Sequence, residues 1–572
     1  MARHLPALAR VFTLVLFLAP VLAGVLGTIL PSLGLMPGGT QAPLGSLDTT
    51  PWRDLLGTPG LGASVGVSLR VGVLSTALSL GLALLIVAGA RGTPVMAWSR
   101  RALAPLLAVP HVAVALGLAF LLAPSGWIAR LLSPWATGWT LPPDVATAPD
   151  PWGLAAVLAL VVKETPYLVL MLLAALPQVD ADRAVRVARG LGHGPLAAWG
   201  RVVLPRVWPL IRLPVYAVLA YGLSVVDVAL VLAPTTPPPL AVAVVGWLSD
   251  PEAAIRGQGA AGAVLQTLLV IAVMGVARGG EAVVARLARP WLSAGPGARD
   301  WERRLGVWGA LAAALPVALL TAGAVLAMAL WSIAGTWFWP AAWPSALSLE
   351  TWTRHLGDVA WPLGTTVTVG LAATALAVVL AAGVLEAPRR PAADRARLAG
   401  GILYLPLLVP QVGFLYGVTV AATLAGLDGT WAAVTTGHLL FVLPYVFLTL
   451  AGPWRRLDPR WGRVAAGLGA GPGRVFWRVT LPLLLRPVLF AAAVGFAVSV
   501  AQYLPTLFLG AGVHPTLTTE AVALAAGGDR RIIGVHVFLQ AALPLLGFAL
   551  ALAVPAWLHR DRRGMRAAED GR

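Results

Sequence analysis

Residues 186–205 read RVARGLGHGPLAAWGRVVLP, and residues 463–482 read RVAAGLGAGPGRVFWRVTLP. The two stretches align without a gap at an offset of 277 residues, and both are polar within a chain that is otherwise strongly apolar. The identical pairs include Arg186/Arg463, Gly192/Gly469, Pro195/Pro472, Arg201/Arg478 and Pro205/Pro482. This duplication predicts a chain with two similar halves that present the same surface twice, to two copies of one partner.

The composition is that of a polytopic α-helical membrane protein. Of 572 residues, 58% are hydrophobic and only 11% are charged, whereas soluble domains carry about 25% charged residues. Many apolar runs reach the length that a helix needs to cross a bilayer. We predict twelve spans, at residues 8–30, 64–90, 102–123, 153–176, 207–232, 260–277, 305–333, 362–386, 398–425, 430–452, 484–510 and 533–558.

The formal net charge of +17 is explained by membrane topology and does not require nucleic acid. If the N-terminus is cytoplasmic, most of the 41 basic residues fall on the inner side, which is the side where they normally accumulate. The arginines on the outer side are Arg53, Arg70, Arg130, Arg256, Arg354, Arg530 and Arg531. We therefore expect a multi-pass protein of the bacterial cytoplasmic (inner) membrane with both termini inside.

The counts of cysteine and lysine exclude several chemistries. The chain has no cysteine, which rules out disulfides, thiolate metal sites and cysteine nucleophiles. A phosphate-binding loop needs Gly-Lys followed by Ser or Thr, but the only lysine, Lys163, follows Val162. If ATP drives this protein, another chain binds the ATP and magnesium. We predict no catalytic residues, no metal site and no cofactor bound by this chain.

The duplication extends along most of the chain. Matching pairs recur in the same order in both halves, and the offset falls from about 300 to 277 because the first half has extra residues near 125–152. Such pairs are Thr76-Ala77-Leu78 with Thr374-Ala375-Leu376, Val109-Pro110 with Val409-Pro410, and Pro166-Tyr167 with Pro444-Tyr445. The sequence therefore predicts two parallel six-span repeats, residues 1–290 and 291–572.

Each duplicated polar stretch has the pattern of a helix, a turn and a second helix. The first helix ends at Gly192, the turn contains Gly194, and Pro195 suits the first turn of a new helix that reaches about Val203. Gly469, Gly471 and Pro472 repeat this pattern. An ordinary basic interfacial connection would explain the arginines, but it would not explain the same glycines and the same Leu-Pro spacing in both copies.

The duplicated pattern resembles the EAA loop of binding-protein-dependent ABC importer permeases. The matching positions are Ala188, Gly192 and Pro205 in the first half and Ala465, Gly469 and Pro482 in the second. Over nearly the whole chain, the sequence resembles the fused two-repeat permeases of the ferric-iron and thiamine importer type. The resemblance implies the type I ABC importer (MetI-like) fold.

The resemblance also implies partners. In that family the loop forms a coupling helix that enters a groove on the ATPase subunit, which implies the same role here for residues 192–201 and 469–478, within loops 178–205 and 455–482. Two copies of a cytoplasmic ATPase and one periplasmic or extracytoplasmic binding protein are the implied partners.

One position departs from the family pattern in both halves. Arg186 and Arg463 stand where the family has glutamate. Because charge complementarity sets partner choice, this reversal predicts an altered, acidic surface on the cognate ATPase.

Ionisable residues inside the membrane are candidate functional residues by default. Lys163 and Glu164 lie in the fourth predicted span and Asp227 in the fifth, where Lys163 or Glu164 could pair with Asp227. The candidate translocation-pathway residues are Lys163, Glu164, Asp227, Gln502 and Tyr503. A structural clamp between helices is the alternative. Phe441 and Val442 stand in the second half where the first has Lys163 and Glu164, and His111 and His438 are interpreted as packing or hydrogen-bonding residues.

The function predicted is that of the membrane permease of an ABC importer, with ATP hydrolysis on a separate subunit. A proton-coupled secondary transporter is the alternative, and it would make the titratable residues inside the membrane essential for uptake. A membrane-embedded enzyme has no motif to support it. The substrate stays open.

Overall fold

The computed structural model describes residues 5–35, 48–293, 301–386, 409–558 and 560, and most of these residues are helical. Within them, the only strand-like pairing is one isolated antiparallel bridge between Ala334 and Leu347. The predicted all-α class is therefore confirmed.

The helices before residue 294 are α1 Leu5–Ser32, α2 Thr50–Gly57, α3 Leu61–Gly89, α4 Pro94–Ala108, α5 His111–Leu122, α6 Trp127–Leu132, α7 Leu154–Ala175, α8 Ala181–Gly190, α9 Pro195–Ala198, α10 Leu204–Ser224, α11 Asp227–Leu232, α12 Leu240–Leu248, α13 Ala253–Leu287 and α14 Arg289–Ser293. A 3₁₀ turn, Leu176–Val179, follows α7, and a π-helical turn, Trp199–Val203, joins α9 to α10.

The helices after residue 300 are α15 Trp301–Ser332, α16 Glu350–Arg354, α17 Leu356–Glu386, α18 Val412–Leu424, α19 Trp431–Arg456, α20 Arg460–Gly467, α21 Pro472–Val475, α22 Leu481–Leu483, α23 Leu485–Val500, α24 Leu504–Gly510, α25 Leu517–Ala525 and α26 Arg530–Leu558. A second π-helical turn, Phe476–Thr480, joins α21 to α22.

Ten helical segments in the described ranges are long and apolar enough to cross a membrane, and each overlaps one predicted span. The eleventh predicted span corresponds to a helix pair, Pro472–Leu483 and Leu485–Val500, bent by 74°. Pro487 accounts for the bend, because it has no amide to donate a hydrogen bond to the Leu483 carbonyl. The ninth predicted span begins at residue 398, outside the described residues, and is represented by α18.

Three predicted spans are interrupted rather than continuous. The third breaks at Val109-Pro110 between α4 and α5, because Pro110 has no amide to continue a helix. The fifth breaks after Ser224, where two β-branched valines precede α11. The eleventh breaks again after Val500, and Pro505 begins the short helix that follows. Asp227 therefore starts a separate helix, and does not lie within a continuous span as predicted.

The first helix of each repeat packs against the other repeat. Helix α1 lies against α17 and α18, and α15 lies against α3 and α5. The closest approaches involve small residues: a Cβ at Gly27 would lie 2.8 Å from Gly417 Cα, and one at Gly117 would lie 2.7 Å from Ala324 Cβ. Gly117 and Gly417 are 300 residues apart, so the two crossings occupy matching places. We call α1 and α15 the exchanged helices.

Helix α15 runs between two chemically different faces. The arginine-rich face carries both duplicated polar stretches, α14 and the start of α15. The tryptophan-rich face carries the end of α15 and the loop after it, with Trp331, Trp337, Trp339 and Trp343. The predicted boundary between residues 290 and 291 falls within α14.

Candidate functional site

The duplicated stretches, which we call the first polar segment (residues 178–205) and the second polar segment (residues 455–482), begin with the same turn. Helix α8 ends in a Schellman motif: Gly192 has φ +85°, its amide donates to Arg189 (3.0 Å), and the His193 amide donates to Ala188 (3.1 Å). A positive φ at this position favours glycine, because any residue with a Cβ would be strained there.

The second polar segment makes the same turn after α20. Gly469 has φ +82°, its amide donates to Ala466 (3.0 Å), and the Ala470 amide donates to Ala465 (3.0 Å). The predicted glycines and alanines therefore have the same structural task in both copies. The glycine makes the turn, and the alanine carbonyl accepts the hydrogen bond that closes it.

A proline starts the second helix of each segment and another proline shapes its end. Pro195 and Pro472 occupy the first helical turns of α9 and α21, after Gly194 and Gly471. A π-helical turn follows, in which Leu204 and Leu481 donate to carbonyls five residues earlier, Trp199 and Phe476. Pro205 and Pro482 lack an amide and would clash with the carbonyl four residues back, so the wider turn accommodates them.

The two segments differ in what covers them. Arg186 and Arg463 are both exposed, and so are Gly192 and Gly469. In the second helix, however, Gly471, Pro472 and Arg478 of the second segment are exposed, whereas Gly194 is buried and Pro195 and Arg201 are partly buried. The first polar segment is therefore partly covered by other parts of the chain.

Residues from α14 and α15 provide this cover. A carboxylate oxygen of Glu302 accepts from the Ala197 amide at 3.5 Å and lies against Gly194. Trp291 lies over Gly200, with its ring carbon 2.9 Å from where a Cβ would stand, and the Arg201 guanidinium carbon lies 5.2 Å from its ring centroid. Sequence reasoning missed both residues, and the only signal was the mismatch of Gly200 with Trp477 in the alignment.

Lys163 holds a helix end and does not pair with Asp227. Its ammonium group donates to the carbonyls of Leu106 (3.0 Å), Leu107 (3.4 Å) and Val109 (2.5 Å). These carbonyls lie at the end of α4, where the break at Pro110 leaves them without amide partners. The predicted Lys163–Asp227 pair is thus wrong, because the nearest acceptors are backbone atoms that a helix break has exposed.

Glu164 and Asp227 are linked through two aromatic side chains. His111 Nε2 lies 2.9 Å from Glu164 Oε1, and the His111 ring stands edge-on to Tyr221 at 5.0 Å. The Tyr221 hydroxyl donates to Asp227 Oδ1 at 3.5 Å. His111 begins α5 directly after the helix break and has a carboxylate partner that its isolated position in the sequence did not predict. We call His111, Glu164, Tyr221 and Asp227 the polar cluster.

The second repeat contributes its own helix break to the polar cluster. Gln502 and Tyr503 lie in the interruption between α23 and α24, and Tyr503 packs against a buried cluster that contains Val228, the residue after Asp227. Transporters commonly place such discontinuous helices at their substrate sites, near the midplane of the membrane. The structure therefore places the two helix breaks beside the same buried cluster, while Lys163 points away to α4.

The matching region of the second repeat is mostly apolar. Phe441 and Val442, the counterparts of Lys163 and Glu164, are buried. His438 is buried between Ser499 (2.7 Å) and Thr506 (2.8 Å), which fits the predicted hydrogen-bonding role. In the described part of the chain, no three His, Asp or Glu side chains are grouped so that they could hold a metal ion.

A buried arginine connects the two repeats on the tryptophan-rich face. Arg130 donates to Ser125 (3.0 Å), Phe338 (3.0 Å) and Ala341 (3.4 Å), all through their carbonyls. Its guanidinium also lies within 6 Å of three indole rings, those of Trp331, Trp337 and Trp339. These tryptophans thus form a packed cluster in addition to any role at the membrane interface.

Spanning helices, a polar cluster at paired helix breaks and two matching polar segments are the architecture of a membrane transport subunit. The chain is 34% identical to the inner membrane ABC transporter permease protein YnjC of Escherichia coli (strain K12), over 93% of this chain and 96% of that protein. This chain therefore belongs to the ABC transporter permeases.

Two relatives match shorter regions. The molybdenum transport system permease protein ModB of Mycobacterium tuberculosis is 34% identical over 34% of this chain and 76% of that protein. The putative 2-aminoethylphosphonate transport system permease protein PhnV of Salmonella typhimurium is 27% identical over 34% of this chain and 72% of that protein. No protein-family model matches the chain.

The relatives favour the permease of an ABC importer over the alternative of a secondary transporter, and they are permease subunits rather than enzymes. A permease of this class works with an ATPase and a substrate-binding protein. The similarity to an inner-membrane permease and the many apolar helices make the chain a multi-pass membrane protein.

Proposed function

We propose that the first and second polar segments are the docking sites for two copies of a cytoplasmic ATPase subunit. The observation that carries this proposal is the repeated backbone: a Schellman glycine, a helix started by proline and a π-helical turn occur in the same order 277 residues apart. Two surfaces with the same backbone suit two copies of one partner. ATP and magnesium are then bound by the ATPase, and both termini of this chain are cytoplasmic.

The first polar segment is directly connected to the polar cluster. Residues Pro195–Ser224 form one span of 30 residues, which is about 45 Å of helix. That span ends at the break just before Asp227. A displacement of the docking site is therefore transmitted along a single helix to the middle of the membrane. One binding protein would deliver substrate to the tryptophan-rich face.

Substitutions of the two turn glycines, Gly192 and Gly469, test whether the polar segments dock the ATPase. Gly192→Val and Gly469→Val place a β-branched residue at a positive φ, so we expect each to reduce co-purification of the ATPase and the double variant to abolish it. Gly280→Val is the matched control, because Gly280 lies in α13 on the same face with open space around it. Full ATPase retention by a monodisperse double variant would overturn the docking proposal.

The orientation of the chain in the membrane can be tested with single introduced cysteines, because the native chain contains no cysteine. Leu468→Cys and Trp135→Cys replace two highly exposed residues, one in the second polar segment and one in the loop before α7. A membrane-impermeant maleimide should label Leu468→Cys only in inside-out vesicles and Trp135→Cys only in right-side-out vesicles. The reverse labelling pattern would contradict the orientation.

The arginines at the glutamate position set the charge of the docking surface. Arg186 and Arg463 are exposed on α8 and α20, so they are accessible to an acidic surface on the ATPase. We expect Arg186→Glu combined with Arg463→Glu to weaken assembly with the native ATPase, chiefly by slowing association. Unchanged co-purification and transport would show that these arginines do not contact the partner.

We further propose that Glu164, Asp227, Gln502 and Tyr503 border the substrate pathway, whereas Lys163 supports α4. The paired helix breaks and the packing of Tyr503 against the buried cluster that contains Val228 support this role. Asp227→Asn and Glu164→Gln should change the uptake rate at saturating binding protein without reducing ATPase co-purification. Uptake identical to that of the native protein in both variants would remove these carboxylates from the pathway.

A further inference from the structure

Among the positions at which the two polar segments differ, one exchanges the largest side chain for the smallest. Trp477 in the second segment is 67% exposed and stands edge-on to Phe476 at 5.2 Å. Its counterpart in the first segment is Gly200. If the same ATPase subunit docks on both segments, the first lacks a large indole side chain that the second offers.

The inter-repeat helix α14 supplies an indole at that place. The Cη2 atom of Trp291 lies 2.9 Å from the position that a Cβ at Gly200 would take, so the ring occupies the space into which a side chain at 200 would project. Trp291 is still 47% exposed. The Arg201 guanidinium lies 5.2 Å from its ring centroid, and Arg478, the counterpart of Arg201, directly follows Trp477.

We propose that Trp291 is a docking residue for the ATPase subunit, equivalent to Trp477, so that α14 is part of the first docking surface. This inference rests on the proposed function of the polar segments. Each surface then offers an indole beside an arginine, the residue types that most often dominate the binding energy of an interface. The matching partner surface is an apolar groove with acidic residues at its edge.

Gly200 is small because Trp291 needs the space. A side chain at 200 would meet the indole ring, so the glycine and the tryptophan form a matched pair. A carboxylate oxygen of Glu302 in α15 accepts from the Ala197 amide in α9, which positions α9 against α15. The first docking surface is therefore assembled from three separate parts of the chain.

The test uses the full chain in nanodiscs and measures the dissociation constant of the purified ATPase subunit. Trp291→Ala and Trp477→Ala should each weaken binding at one site by about tenfold, and the double variant should weaken both. Trp308→Ala is the control, because Trp308 in α15 is at least as exposed as Trp291 and Trp477 and lies outside the polar segments.

A transplant variant separates docking from folding. Trp291→Ala combined with Gly200→Trp moves the indole from α14 to the position used by the second segment, and we expect it to restore binding to within about twofold of native. Gly200→Trp alone should clash with Trp291 and bind weakly. Native affinity in Trp291→Ala, or a transplant that binds no better than Trp291→Ala, would overturn the inference.

The glycine variants distinguish this inference from the proposed function. If Gly192→Val and Gly469→Val reduce ATPase binding while Trp291→Ala does not, the polar segments dock the ATPase without α14. If none of these variants changes binding, the proposed function fails as well.

Discussion

The buried ammonium group of Lys163 has a structural role, because it donates hydrogen bonds to backbone carbonyls. Its ammonium group satisfies three carbonyls that the break at Pro110 leaves open. In a membrane, an unsatisfied carbonyl cannot turn to bulk water, so its partner is a structural requirement. The only lysine of the chain thus maintains the interruption between α4 and α5.

Replacing Lys163 should therefore destabilise the protein. Lys163→Met keeps the length and removes the donor, and we expect a loss of about 2 kcal/mol of stability, seen as a lower midpoint of thermal unfolding in detergent. Arg53→Met, at an exposed position of α2, should leave the midpoint unchanged. Native stability combined with lost uptake would instead place Lys163 in the substrate pathway.

The sequence was informative about the turn residues and less so about the buried charges. Gly192 and Gly469 are predictable because only a few local backbone geometries need glycine before a proline-started helix. The partner of Lys163 is not predictable in this way, since its acceptors are backbone atoms of a helix whose end depends on tertiary packing. His111 likewise gains Glu164 only through the meeting of α5 and α7.

At the scale of elements, the π-helical turns set the rotation of each polar segment relative to its span. The extra residue in each turn exists because Pro205 and Pro482 cannot accept regular α-helical geometry. Converting the turn to α-helix would rotate the preceding residues by about 100°. The surface that faces the ATPase therefore depends on two prolines at the ends of the polar segments.

We expect Pro205→Ala combined with Pro482→Ala to uncouple transport from ATP hydrolysis. Transport per ATP hydrolysed in proteoliposomes should fall about tenfold, because misdirected segments transmit less displacement, while some ATPase remains bound. Pro209→Ala, inside α10, is the control. Native coupling in the double variant would show that the π-helical turns have no mechanical role.

The positions of the spans were well predicted, but the interruptions within them were not. Hydropathy identifies an apolar run of about 20 residues but reads across short breaks, so α10 and α11 were predicted as one span, and α23 and α24 as another. Asp227 was the available signal, because a buried carboxylate in an apolar run is stable where a helix start supplies free amides.

At the scale of the whole molecule, small residues make the exchange of first helices possible. Gly417→Val would place atoms against the Gly24 backbone and force α1 away from α18. We expect a loss of about 2 kcal/mol or more, measured as reduced thermal stability and increased proteolysis. Gly81→Val, in α3 with open space around it, should be tolerated, and equal stability of both variants would contradict the packing role.

Arg130 bridges the two repeats on the tryptophan-rich face. Arg130→Ala would remove hydrogen bonds to carbonyls of both repeats and the contacts with three indoles, so the unfolding midpoint should fall by several degrees. Arg354→Ala removes only an exposed pair with Glu350, which contributes little. If the two variants unfold alike, Arg130 does not fasten the repeats.

The duplication was predictable from the sequence, whereas the exchange between repeats was not. Two similar halves are compatible with either arrangement: each first helix can pack against its own repeat or against the other repeat. The choice is made by close contacts such as Gly27 with Gly417 and Gly117 with Ala324, which the alignment alone does not pair.

The exchanged helices impose an order in time on the synthesis of this protein. Thr28 in α1 accepts a hydrogen bond from the Gly417 amide, 389 residues later in the chain. At about 5–20 residues per second, α1 waits roughly 20–80 s in the membrane before α18 is made. During that interval its Gly24 and Gly27 surface faces lipid or the insertion machinery, and a chaperone or translocase that shields it would raise the yield of correctly paired repeats.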